Sequence, residues 1–206
     1  MKKTVPVTTI FTDIGGVLLT NGWDRKARAA AASHFKLDLE ELNERHHLTF
    51  DTYESGKLDL EEYLHRVVFY EKRSFSRKQF RDFMFSRSQP FPEMLDMVRK
   101  IKEKYKIKIA VVSNEGRELN AYRIKKFGLS EFVDFFISSC YVHFRKPDAD
   151  IFRVALDIAH VPAEKVVYLE DRSLFVHVAE GLGIRTIHHT DFATTKKELA
   201  DLGFKV

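Results

Sequence analysis

From Pro92 onward, short apolar runs of strand type alternate with segments of helical period, and that alternation leaves few architectures open. Ile107-Lys108-Ile109-Ala110-Val111-Val112 enters Ser113-Asn114, an apolar run covers Phe132 to Ser138, Val166-Val167-Tyr168-Leu169 enters Glu170-Asp171, and Ile184 to His188 closes the series. Between them lie helical stripes. Met94, Val98, Ile101 and Tyr105 recur at helical spacing, Arg117 to Phe127 ends at Gly128, and Asp148 to Ala159 carries Ile151, Phe152, Ala155, Leu156 and Ala159. A helix to Leu182 and a closing helix from Thr194 to Leu202 complete the pattern. Strands joined through helices run parallel, so the expectation is an α/β fold: a doubly wound, Rossmann-like parallel sheet with helices on both faces.

One more strand belongs to that sheet but stands apart from it. The stretch Thr8 to Leu19 begins as a β-branched and apolar run, meets a carboxylate at Asp13, and turns at Gly15-Gly16. In an open parallel sheet, ligands bind beyond the carboxyl ends of the strands, where Asp13 would sit. Taken alone, the stretch equally describes a strand ending in an ordinary turn. From Trp23 to about Ser88 the character changes to helix formers without strand-like runs: Arg25 to Phe35, Asp38 to His47, Asp59 to Tyr70 and Ser76 to Phe85. Gly56 breaks the chain before Asp59-Leu60-Glu61-Glu62, and Ser76 is placed to cap the last helix. The expected division is an α/β core made of residues 1–21 and 89–206, with residues 22–88 inserted as a helical bundle of about four helices.

Charge and composition exclude several classes. The 34 Lys and Arg residues are nearly matched by 30 Asp and Glu, and no basic block interleaves with aromatics, so a nucleic-acid partner is not expected. No apolar run approaches the ~20 residues of a membrane span. Met1-Lys2-Lys3 is followed by an apolar run that Asp13 interrupts, too short for a signal peptide. The single cysteine, Cys140, precludes an internal disulfide and suits a reducing cytoplasm; beside an apolar run it reads as a packed thiol.

Four strand ends or loops carry chemistry: Asp13, Ser113-Asn114, Lys146-Pro147 and Glu170-Asp171. Each alone has a plain reading as a helix cap, a solvated lysine or a turn. Gathered at one sheet edge, the carboxylates of Asp13, Glu170 and Asp171 would repel one another unless a cation sat among them. A hard divalent ion with oxygen ligands answers that need, and Mg²⁺ is the expectation.

In order and spacing, Asp13-Ile14-Gly15-Gly16-Val17-Leu18, Val111-Val112-Ser113-Asn114, Arg145-Lys146-Pro147-Asp148 and Leu169-Glu170-Asp171-Arg172 resemble the four motifs of the haloacid dehalogenase-like superfamily. The likeness is strongest to phosphatase branches with a helical cap after the first strand, and it covers essentially the whole chain. The resemblance implies Asp13 as nucleophile toward phosphorus, forming an aspartyl-phosphate that water cleaves. It implies a Mg²⁺ held by Asp13, Asp171 and the Gly15 carbonyl, with Glu170 acting through a water. Ser113, Asn114 with nearby amides, and Lys146 would then hold the phosphoryl group.

The sequence also departs from that family. Gly15 stands where the phosphatases usually carry an aspartate that serves as general acid and base, a role worth about 10²–10⁴-fold. A cap residue, a water or the substrate would have to supply the proton. His143, Ala149 and Phe175 replace the usual Gly, Pro and Asn. Two rivals stay open. A metal-independent dehalogenase also lacks the second aspartate, although Glu170-Asp171 argues against it. A weakly active or inactive member would bind a phosphate compound or a protein. In the cap, Trp23, Arg45, His46, His47 and Lys57 are candidate contacts, with Trp23 and Arg45 expected to reach the pocket. Arg45-His46-His47 reads equally as a solvated helix end. His177 and His188-His189 show no metal-ligand spacing. The expected partner is a small phosphorylated metabolite of sugar-phosphate type.

Overall fold

A computed structural model describes residues 6–206. The Met1-Lys2-Lys3 segment and the first residues of the expected core piece lie outside the described residues. Among the described residues the sheet has five strands: β1 (Thr9–Thr12), β2 (Lys108–Ser113), β3 (Phe135–Ser138), β4 (Val166–Glu170) and β5 (Arg185–His188). Their order is β3-β2-β1-β4-β5, and every neighbouring pair is parallel. The expected doubly wound sheet is therefore present.

The strands read as continuous apolar runs because both faces are covered. Successive residues point to opposite sides. Ile10, Ile109, Val111, Val167 and Leu169 pack with Met94, Val98 and Ile101 of α6 (Pro92–Tyr105) and with Leu199 of α11 (Phe192–Asp201). Phe11, Ala110, Val112, Val166 and Tyr168 face the other way, onto Ile151, Phe152 and Ala155 of α9 (Asp150–Ala159) and Ala179 of α10 (Ser173–Gly181). The expected strand at Phe132 begins only at Phe135, because Leu129–Glu131 forms a 3₁₀ turn that sends Phe132 and Val133 into the core from a loop.

Between β1 and α6 lie five helices: α1 (Arg25–Phe35), α2 (Leu39–His47), α3 (Phe50–Glu54), α4 (Leu60–Val67) and α5 (Arg77–Ser86). Caps set most of their starts. Asp24, Asp38, Asp59 and Ser76 each accept a backbone N–H of the first turn, and Asp59–Glu62 and Ser76–Gln79 close capping boxes. The sequence pattern missed α3, whose five residues are too few to show a period. It also ran α4 on to Tyr70, whereas the helix ends at Val67. These helices share their own apolar cluster around Trp23, Leu42, Tyr63, Leu64, Phe80 and Met84, and α7 (Arg117–Lys126) lends it Leu119. Each such side chain contributes roughly 1.5–3 kcal/mol by leaving water.

The chain passes between sheet and helical bundle through two segments that lie side by side. Thr20 N donates to the Gln89 carbonyl at 2.8 Å and Phe91 N to that of Leu18 at 2.9 Å. Arg123 of α7, 1% exposed, ties both: Nη2 donates to the Thr20 carbonyl at 2.6 Å and Nε to Ser88 Oγ at 3.0 Å.

Candidate active site

β1 lies between β2 and β4, so the connections on its two sides diverge and open a crevice beyond its carboxyl end. Asp13 occupies that point, anchored by its N–H donating to the Leu169 carbonyl at 3.0 Å. The chain then folds back sharply, with Gly16 N donating to the Leu19 carbonyl at 2.8 Å. Gly16 has φ +78, and a Cβ there would stand 2.2 Å from Asp171 Oδ2. The second glycine of the pair therefore permits the turn and lets the Asp171 carboxylate lie against the backbone beside Asp13.

Lys146 is completely buried among these acids. Its Nζ lies 2.8 Å from Asp13 Oδ2 and 2.7 Å from Glu170 Oε2, and it donates to Tyr168 Oη at 2.9 Å. Tyr168 in turn donates its hydroxyl proton to Glu170 Oε2. Burial lowers the lysine's affinity for its proton, but Asp13 and Glu170 together outweigh it and hold the ammonium above its ordinary range. For Asp13, burial dominates and raises the pKa against the pull of Lys146, with Glu170 pushing the same way as burial.

The lysine's loop is held by Asn114. Its Oδ1 accepts from Lys146 N and its Nδ2 donates to the Lys146 carbonyl, both at 2.8 Å. The Asn114 side chain thus holds the Lys146 backbone through one amide N–H and its carbonyl oxygen. Ser113 Oγ, by contrast, is buried without a well-formed partner, close enough to Asp13 to help lower its pKa slightly.

One oxygen each from Asp13, Glu170 and Asp171 fall within 4.8 Å of one another. Asp171 Oδ1 is buried and has no hydrogen-bond partner among the described residues. An orphaned carboxylate oxygen of this kind is costly unless a ligand completes it. Three carboxylates against one lysine also leave a net negative centre, so the donor set fits a divalent ion of magnesium type. Glu170 is the least free of the three. Its Oε2 serves Lys146 and Tyr168 and its Oε1 accepts from Arg172 N at 3.0 Å, which suits contact through a water.

Above Asp13 opens a cavity of about 330 Å³, between the strand ends and the helical bundle. Trp23 is among the residues that line it. Its Nε1 donates to Tyr63 Oη at 2.8 Å, and Tyr63 Oη lies 2.7 Å from His46 Nδ1. Indole nitrogen only donates, so Tyr63 Oη accepts from Trp23 and stands between it and the His46 ring. Burial, aided by Arg28, pushes the His46 pKa down to about 3.

Arg45 does not reach the cavity. It lies on the outer surface of α2, 2.5 Å from Glu41 and stacked 3.5 Å from the Tyr70 ring centroid. The helical spacing that pairs it with Glu41 also turns it away. His47 and Lys57 are likewise absent from the lining, His188 Nε2 contacts the Asp171 carbonyl at 3.0 Å, and His177 is exposed.

Several residues in and around the lining owe their place to partners from distant segments. Arg145 bridges to Asp51 and Glu54 of α3, both at 2.6 Å. Arg123 pairs with buried Glu115, whose pKa burial raises to about 7 against the opposing pull of Arg123. Phe175 puts its ring 5.0 Å from Lys146 Nζ, where the resemblance led one to expect Asn. His143 takes φ +62, a left-handed conformation that favours the glycine usual there, and its Nδ1 contacts the Ser55 carbonyl at 2.8 Å.

The description of the haloacid dehalogenase-like hydrolases matches residues 7–173, and the chain belongs to that family. Its fold is similar to a haloacid dehalogenase family enzyme from Bacteroides thetaiotaomicron, with TM-score 0.77 and 21% identity over 89% of this chain and 93% of the other. That protein is also known in a complex with magnesium and inorganic phosphate. An L-2-haloacid dehalogenase from Xanthobacter autotrophicus superposes with TM-score 0.61 at 16% identity, over 94% of this chain and 82% of that one. In sequence, a phosphorylated carbohydrates phosphatase from Thermotoga maritima is 27% identical over 132 residues, 64% of this chain and 56% of that protein. Rat bifunctional epoxide hydrolase 2 is 35% identical over 71 residues, 34% of this chain and 13% of that protein. The matches thus span less than two thirds of the curated relatives' length. No helix among the described residues is long and apolar enough to cross a membrane.

Proposed function

We propose that this hydrolase is a magnesium-dependent phosphatase of small phosphorylated metabolites, with Asp13 as nucleophile and residues 22–88 as a cap over the site. The observation that carries the reading is the acid cluster with its orphaned Asp171 oxygen, for which one buried lysine is too little positive charge. Asp13, Asp171 and the Gly15 carbonyl would hold the ion, which when bound would withdraw charge from the phosphoryl oxygens. Asp13 attacks phosphorus, the bond to the leaving oxygen breaks, and water later cleaves the aspartyl-phosphate. Lys146 and the Ser113 hydroxyl steady the phosphoryl group, and Asn114 keeps Lys146 in register. The magnesium and phosphate bound by the Bacteroides structure and the name of the Thermotoga relative support the same chemistry and a sugar-phosphate type of substrate.

The test is phosphate release from 4-nitrophenyl phosphate with and without Mg²⁺, in the native protein and in Asp13→Asn. Turnover that needs the ion and vanishes in Asp13→Asn supports the reading. Metal-independent halide release from a haloacid selects the dehalogenase instead, and no turnover of either selects a binding role. Gly15 has an ordinary φ, and an added Cβ would meet Asn21 Oδ1 at 3.0 Å, a contact that a small shift of Asn21 relieves. Gly15→Asp is therefore expected to fold and to raise turnover by up to about 10²–10⁴-fold. Unchanged turnover in that variant means a missing acid does not limit the rate.

A further inference from the structure

The cavity over Asp13 carries more positive charge than its own acids satisfy. Lys146 is taken by Asp13 and Glu170, Arg123 by Glu115, and Arg145 by Glu54 and Asp51. Asp24, the remaining lining acid, spends Oδ1 on the N-cap of α1 by accepting from Ala27 N at 2.8 Å. Arg25, Arg28 and Arg172 also line the cavity, and none of them forms an ion pair among the described residues.

Arg28 is the most telling of the three. It sits on α1 in the roof, half-buried, and both of its fixed bonds go to neutral acceptors: Nε to Asn43 Oδ1 at 2.8 Å and Nη1 to the Trp23 carbonyl at 3.0 Å. Those bonds orient the guanidinium, and among the described residues they leave its charge and Nη2 uncommitted. Asp24 and Glu54 act on it only from a distance, and burial pulls its pKa below the usual value. A half-buried cation without a carboxylate is stabilised by an anion that arrives from outside.

From this geometry, and resting on the phosphatase reading above, we infer that the substrate carries a second negatively charged group, which Arg28 of the roof receives while Asp13 engages the phosphoryl group. Arg172, exposed at the rim, and Arg25 at the start of α1 draw the same group inward. A carboxylate and a second phosphate both satisfy this chemistry. A neutral polyol chain leaves the guanidinium unpaired.

Three esters of matched length separate the cases: 2-hydroxyethyl phosphate, 2-phosphoglycolate and ethane-1,2-diol bisphosphate. In the native protein, kcat/KM for at least one charged ester is expected to exceed that for the neutral ester by about 10–100-fold, the value of a charge-assisted hydrogen bond. Which charged ester leads identifies carboxylate or phosphate as the source. Arg28→Met is expected to lower that ratio at least about tenfold, chiefly through KM, and Arg172→Gln to lower it in the same direction. A neutral ester turned over as well as both charged ones overturns the inference, as does a ratio unmoved in both variants. Loss of turnover with every ester and with 4-nitrophenyl phosphate defeats the phosphatase reading instead. Ligand-induced thermal shifts then decide the second anion separately: 2-phosphoglycolate or the bisphosphate is expected to raise Tm more than 2-hydroxyethyl phosphate, and equal shifts refute it.

Discussion

Replacing Lys146 by Met keeps most of the side chain's volume and removes only the charge that Asp13 and Glu170 share. The ammonium is wholly buried and makes three bonds at 2.7–2.9 Å, two of them to carboxylates. Breaking a buried pair by deleting one partner costs about 3–5 kcal/mol, because the other charge stays behind without compensation. For a chain of this size each kcal/mol shifts Tm by about 2–4 °C, so a fall of roughly 6–20 °C is expected in chelator-treated protein near pH 8. The pH dependence has a definite sign. Asp13 is already raised by burial and loses its chief lowering partner in the variant. A carboxylate whose folded pKa is raised contributes most at low pH, and its contribution is lost as pH rises through the folded value. The gap between native and variant protein should therefore widen from pH 5 to pH 8. Excess Mg²⁺ should narrow it, because the variant's site, more negative by one charge, binds the ion more tightly and so gains more from it. Thermal unfolding at both pH values, with chelator and with Mg²⁺, measures all three. A Tm gap that stays constant with pH, or one that Mg²⁺ leaves untouched, refutes the claim that lysine and metal neutralise one acid cluster.

Three further perturbations probe other parts of the same construction. Arg123→Met strands buried Glu115 and frees both connecting segments, and should cost about 3–5 kcal/mol in urea unfolding; adding Glu115→Gln should recover part of it, and a cost below about 1 kcal/mol contradicts the tie described for α7. Gly16→Ala puts a Cβ into the Asp171 carboxylate at positive φ, so Mg²⁺ affinity by calorimetry should drop at least about tenfold, and unaltered binding rules out Asp171 as a ligand. His46 should stay neutral from pH 8 down to pH 5, with constant imidazole NMR shifts; because its pKa is lowered to about 3, its stabilising contribution is present above pH 6.5 and declines toward pH 3. A midpoint near 6.5 would show that the Trp23–Tyr63–His46 chain does not exclude water.

Much of this protein was legible in the order of its residues. Strand ends mark where a parallel sheet presents its chemistry, so Asp13, Ser113, Glu170 and Asp171 announced themselves by following apolar runs. Starts did the same for two helices, since Asp59 and Ser76 cap the turn that follows them. These signals are local, and local bonds survive being read one segment at a time.

The roof of the cavity and the charge balance around it were decided only by the tertiary structure. Arg28 and Arg45 look alike on their helices, yet one turns toward the site and the other pairs with Glu41 outside it. The hold of Asn114 on the backbone of Lys146, thirty-two positions away, has no local signature either. Arg123, Glu115, Thr20 and Ser88 meet from three separate stretches, and nothing in any one stretch foretells the others. A partner contributed by a distant segment leaves no period and no spacing in the chain, so the sequence determined the sheet and its acids, while long-range packing determined which charges find one another.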